Sequence, residues 1–147
     1  MRHKLIHEAD GQKTFAIILD AGDEAMGCLK AFARDNRLTA ASFKAIGAFE
    51  RAELSFFDWS KKTYEPIPVD EQVEVASLTG DIAVEPGGEP GVHVHAVLGR
   101  RDGGAVAGHL NKGVVRPTLE IILTEQPAHL KKRRDHETGL MLIALED

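Results

Sequence analysis

The chain of 147 residues has one cysteine, six phenylalanines, one tryptophan and one tyrosine, and no long apolar run. The lone Cys28 excludes an intrachain disulfide and any zinc site built on several thiolates, so a bound metal would need His, Asp or Glu. Cys28 lies in a helical pattern and reads as a small packed residue. No stretch approaches the ~18 apolar residues of a membrane-spanning helix. The opening MRHKLIHEAD has no apolar core of the secretory kind, and the cytoplasm is the expected compartment. No phosphate loop, dinucleotide fingerprint or nucleophile elbow is present, and neither Ser55 nor Ser77 sits in a motif that would activate it. Excess positive charge is lacking too. A net charge of −5 argues against a generally basic surface that coats nucleic acid. The charge is uneven, however. Residues 1–92 carry ten Lys/Arg against sixteen Asp/Glu, and residues 93–147 carry eight against seven, so a local basic patch stays open in the second half.

What is present reads as one domain over residues 1–147, of ordinary size and composition. KTFAIILD (13–20) predicts a strand. Residues 23–36 predict the main helix, with Met26, Leu29 and Ala33 on one stripe, Asp23 as N-cap, and Arg34 and Arg37 at the C-terminal end. Strands are expected near 40–48, 51–59, 62–66, 71–84, 91–100, 105–109, 114–124 and 140–145. Short connections such as EPGGEP (85–90) and RDGG (101–104) favour antiparallel hairpins. The fold class is α+β: a large, mainly antiparallel sheet with one helix packed on it.

The informative stretch is GVHVHAVLGR (91–100). On a strand, alternate side chains share a face, so His93, His95 and Val97 point one way and Val92, Val94, Ala96 and Leu98 the other. On a helix the two histidines would diverge by roughly 200°. If Asp102, Gly103 and Gly104 form a three-residue loop, Val97 pairs with His109, and His109 joins the His93/His95 face, diagonal to His95. A two-residue loop would send it to the opposite face. Three imidazoles suit zinc, with other divalent transition metals as alternatives, and leave a coordination position open. The competing reading is a polar stripe on a half-exposed sheet. His3, His7, His129 and His136 lack such a setting and read as surface residues.

SLTGDI (77–82), GVHVHAVLGRRDGGAVAGHL (91–110) and RPTLEIIL (116–123) closely resemble the plants-and-prokaryotes-conserved (PPC) domain family. LKAFARDNRLTAASFKAIGAFERAELSFFD (29–58) and ETGLMLIAL (137–145) fit it as well. The resemblance implies a compact domain with a mainly antiparallel sheet that assembles as a homotrimer. It also implies a metal held by the H-x-H pair and the His of G-H-L, which are His93, His95 and His109 here. The implied fold is similar to that of acetolactate decarboxylase, which holds zinc with three histidines. Plant members of the family add an AT-hook. This chain has VVRPT in place of Arg-Gly-Arg-Pro, so the family's DNA-binding label transfers poorly.

Glu120, inside LEIIL, could serve as an acid, a base or a partner to a metal ligand, or simply face outward from a strand. Arg116 could bind a small anionic ligand beside the metal or be a surface charge. KKRR (131–134) could contact phosphates, but with Asp135 and Glu137 beside it the segment reads as solvated and partly self-neutralised. Gly80, Gly91 and Gly108 suit close backbone approach or turns and bulges. Three functions follow: a homotrimeric metal-binding protein with a small-ligand or regulatory role; a metal-dependent lyase with Glu120 and Arg116 as catalytic candidates; and a DNA-associated protein, for which weak or no DNA binding is expected. The first is preferred, because its ligand set is visible in the sequence.

Overall fold

Two long strands organise the molecule. Over residues 1–145, which the computed structural model describes, the elements run β1 (Arg2–Ala9), β2 (Gln12–Asp20), α1 (Ala25–Asp35), β3 (Ala40–Asp58), β4 (Thr63–Val69), β5 (Val73–Val84), β6 (Pro90–Gly99), β7 (Ala105–Glu125), β8 (Lys131–Arg134) and β9 (Met141–Ala144). β3 and β7 pair antiparallel along most of their lengths. β5 pairs with β3, β6 with β5, and β6 with the start of β7, so β3, β5, β6 and β7 close a ring. The sheet therefore has an inner and an outer face. β4 extends β3, β2 and then β1 extend β7, and among the described residues the one parallel contact in the sheet is the β5–β8 bridge, Val84 to Lys131.

The inner face is the core. Phe15, Phe43, Phe49, Leu54, Leu78, Val94, Leu98, Leu110, Leu119 and Leu123 are buried there, joined by Leu29 and Phe32 of α1. Each fully buried side chain of this kind contributes about 1.5–3 kcal/mol. Phe15 and Phe32 meet edge to face at 5.2 Å, which locks the helix to β2.

The mainly antiparallel α+β architecture is as the sequence predicts, with differences that have local causes. The expected strands 40–48 and 51–59 are one strand, as are 105–109 and 114–124. Register shifts of β3 against β5 between Ala45 and Gly47, and against β7 between Gly47 and Phe49, Phe49 and Arg51, and Glu53 and Leu54, bend the strands and interrupt their alternation without ending them. At one of these bulges Gly47 has φ +152°, and a Cβ there would lie 2.2 Å from the Thr118 carbonyl oxygen. The helix is capped by Glu24, whose carboxylate accepts from the Met26 and Gly27 N–H groups at 3.1 and 2.7 Å, and not by Asp23. Asp23 instead accepts from the Asp20 N–H at 3.0 Å. β1 has no alternating pattern and is held as an edge by its ladder to β2. KKRR forms a strand; Lys131, Arg133 and Arg134 are exposed as expected, but Lys132 is buried within it.

Candidate metal centre

β6 alternates as its sequence requires: Val94, Ala96 and Leu98 are buried, while His93, His95 and Val97 face outward. The β6–β7 connection is a five-residue turn, Arg100–Gly104, rather than three residues. The Arg100 N–H donates to the Gly104 carbonyl at 2.7 Å, the Gly103 N–H donates back to Arg100 at 3.0 Å, and Gly103 takes the left-handed φ of +83°. Gly99 therefore pairs with Ala105, and His95 lies directly opposite His109. The expected Val97–His109 pairing is off by two residues. A shift of two preserves the face, so the three imidazoles still meet, and more closely than a diagonal pair would.

One ligand nitrogen from each of His93, His95 and His109 lies within 4.8 Å of the others. Ring centroids are 5.0 Å apart for His93–His95, 5.1 Å for His93–His109 and 5.6 Å for His95–His109. A tetrahedral ion with bonds of about 2.1 Å needs nitrogens about 3.4 Å apart, which a swing of each ring by under an ångström provides. The donor set fits a divalent transition metal on two further counts. The His109 Nδ1 is buried without a hydrogen-bond partner, a position that asks for a proton or an ion. The pKa values of His95 and His109 are also lowered, which favours their neutral forms. Burial first, then the charges of His93 and His95, pulls His109 down to about 4 from 6.5, and burial followed by His93 lowers His95 as well. Neutral imidazoles are the ligating form.

Three neighbours were not anticipated. Asp81 of β5 lies opposite His93, and its Oδ2 is 3.2 Å from His93 Nδ1. Its Oδ1 lies 2.9 Å from the Lys132 ammonium. Together the two contacts outweigh burial and hold the Asp81 carboxyl below the usual range. Tyr64 of β4 packs on His109 with centroids 4.8 Å apart and closes one side of the cluster, backed by Phe57. Thr79, Gly80 and Asp81 form with His93 and His95 an open recess of about 240 Å³. The signal for Asp81 lay in the hairpin closure. Val84 pairs with Pro90, one residue inside the expected EPGGEP loop, and counting back from that pair sets Asp81 against His93.

Glu120 and Arg116 stand apart. Glu120 is exposed between Ile18 and Ile46 of the neighbouring strands. The adjacent row, Ile122–Lys44–Thr79–His95, separates it from the cluster by three strand spacings, about 14 Å. Arg116 is exposed on β7 and lies 3.5 Å from Glu50. Neither touches the histidines in this arrangement. Cys28 is half-buried against the core, and burial pushes its thiol pKa up.

Residues 6–127 match the family model described as the Plants and Prokaryotes Conserved (PCC) domain. Among solved structures, a metal-containing protein from Archaeoglobus fulgidus is 29% identical, with a TM-score of 0.83 over 90% of this chain and 94% of its own. A protein from Ralstonia eutropha JMP134, provisionally described as DNA-binding, is 30% identical, with a TM-score of 0.82 over 90% and 91%. A plant- and prokaryote-conserved protein from Pyrococcus horikoshii is 26% identical, with a TM-score of 0.82 over 99% and 96%. A Staphylococcus aureus protein similar to α-acetolactate decarboxylase shares the fold more distantly, at 12% identity and a TM-score of 0.52 over 76% of this chain and 51% of that one. No curated protein matches the chain. Among the described residues no helix is long and apolar enough to cross a membrane.

Proposed function

The chain belongs to the Plants and Prokaryotes Conserved domain family, and on that premise we propose that it is a homotrimer binding a divalent metal through His93, His95 and His109. Zinc is the metal of choice. The observation that carries this reading is the convergence of three imidazole nitrogens within 4.8 Å, one ring bearing a buried nitrogen without a partner. A bound ion would supply a Lewis-acidic position open to a small anionic ligand from the side of the recess. A binding or regulatory role fits better than lyase chemistry, since neither Glu120 nor Arg116 reaches the cluster. The trimer is supported by the outer sheet face, where Ile46 and Ile122 are 62% and 41% exposed around a depression also lined by Ala16, Ile18 and Ala76. The metal-containing relative from Archaeoglobus is consistent with the metal assignment.

Zinc titration of metal-stripped protein tests the site. Wild type binds one ion per chain, His95→Ala binds far more weakly, and loss of two of the three histidines abolishes binding. Equal affinity in wild type and His95→Ala, or no binding in either, overturns the assignment.

The Ralstonia relative supports a second reading, association with DNA. With a net charge of −5, binding would be weak, salt-sensitive and independent of sequence. A tight complex with a defined duplex at physiological salt, read by fluorescence anisotropy, would promote this reading over the first.

A further inference from the structure

Lys132 is the one inward residue of the KKRR strand, and its side chain is only 4% exposed. Its ammonium lies 2.9 Å from Asp81 Oδ1 and donates to the Gly91 carbonyl at 3.3 Å. Taking a charged pair out of water costs several kcal/mol per ion, and a well-packed apolar side chain of similar volume usually serves stability as well or better. The pair therefore calls for an explanation beyond packing. Asp81 supplies one, because its other oxygen faces His93 Nδ1 at 3.2 Å. A carboxylate accepting the Nδ1–H fixes the ring's orientation and tautomer and leaves Nε2 as its electron-pair donor. Unpinned, Asp81 is exposed enough (31%) to turn its carboxylate to water and release the ring.

Lys132 comes from a different part of the chain. It belongs to the β8–β9 hairpin, beyond the matched residues 6–127. Among the described residues, this hairpin joins the main sheet through a single bridge, Val84 to Lys131, supported by the Val84 N–H donating to Leu130 at 2.8 Å. Its second strand pairs only with its first. Its ladder pairing to the main sheet is therefore sparse, which makes docking of the hairpin sensitive to its side-chain contacts.

We propose that Lys132 positions His93 through Asp81 and thereby couples docking of the β8–β9 hairpin to occupancy of the three-histidine site. The coupling rests on the metal reading, while the positioning of His93 stands without it. Lys132 touches no metal ligand itself. Its effect passes through the carboxylate, and by reciprocity an ion at the site tightens the hairpin by the factor that the docked hairpin adds to ion affinity.

The test uses full-length protein as wild type, Lys132→Met and Asp81→Ala, with zinc chloride as the probe. Nitrogen-15 NMR of the metal-free proteins reads the His93 tautomer directly. Wild type holds the proton on Nδ1, and both variants shift it toward Nε2. In zinc titrations Asp81→Ala loses about 10–100-fold in affinity and Lys132→Met about tenfold. In hydrogen exchange, zinc slows the β8 amides of wild type about tenfold and leaves those of Lys132→Met unchanged. Met fills the lysine's space but leaves the Asp81 carboxylate without its partner, at some cost in stability. Far-UV circular dichroism and urea unfolding of each variant therefore confirm that it is folded under the titration conditions and separate a loss of affinity from a loss of structure. A wild-type tautomer in Lys132→Met, with zinc affinity within twofold of wild type, overturns the proposal. Absence of zinc binding in every protein removes the metal reading and the coupling with it, and the tautomer then decides the positioning role alone.

Discussion

Replacing Gly80 by alanine tests the link between core packing and the candidate site at a single atom. A Cβ at this position would lie 2.3 Å from Phe43 Cζ, 2.8 Å from Phe43 Cε2 and 2.5 Å from the His93 carbonyl oxygen. Its backbone has no left-handed φ, so the cost is steric and not conformational. Phe43 cannot swing aside, because it is 5% exposed and wedged in the core beside Leu123. The His93 carbonyl cannot yield without moving β6 off β5, where Gly80 pairs with Val94 and its neighbours pair with His95 and His93. Overpacking of this kind costs about 1–3 kcal/mol, and contact with fixed backbone on one side places Gly80→Ala at the upper end. For a chain of this length each kcal/mol lowers Tm by roughly 2–4 °C, so a loss of about 6–12 °C is expected. Urea unfolding of metal-stripped protein at fixed concentration measures the change. Zinc affinity should fall in parallel as the His93 backbone is displaced. Gly87→Ala is the control: nothing lies within 4 Å of its added Cβ, and its stability should stay within about 0.5 kcal/mol of wild type. If Gly80→Ala is equally silent, Phe43 does not cross β5 at this point and the packing argument fails.

Other expectations follow from the same geometry. His109 is held at about 4 when folded and returns to about 6.5 when unfolded, so the unfolded chain takes up its proton at the higher pH. The metal-free protein should therefore keep this stability above about 6.5, lose it between 6.5 and 4, and change little more below that. The full shift corresponds to about 3 kcal/mol, and partial contact with solvent reduces it to about 1–2. His109→Asn should flatten the profile, and an unchanged slope in urea unfolding across this window would refute the assignment. Ile46→Glu places a charge on the exposed apolar face and should convert a particle of about three times 16.0 kDa into a monomer by light scattering. A wild type that is monomeric at every concentration would remove the trimer itself.

How much of the site was legible depended on whether local periodicity or tertiary register decided each residue. His93 and His95 were readable because alternation along β6 is local, with Val94, Ala96 and Leu98 buried between outward neighbours. His109 was readable despite an error in its turn. Face is a matter of parity, and the five-residue turn moves the register by two, leaving the parity intact. Asp81 shows the opposite sensitivity. Closing the β5–β6 hairpin at Val84 and Pro90, rather than one residue further out, determines whether Asp81 or its neighbour faces His93. Tyr64 requires two registers at once, Ser55 against His109 and Pro66 against Ser55, before its ring comes over the histidine. Lys132 had no local signal at all. Four consecutive cations look solvated, and only the single parallel bridge to β5 turns one of them inward. The first set of ligands is thus written in strand periodicity. The residues that hold those ligands in place are set by pairings between distant strands, so in this sheet the supporting partners are found by following the register outward from the histidines.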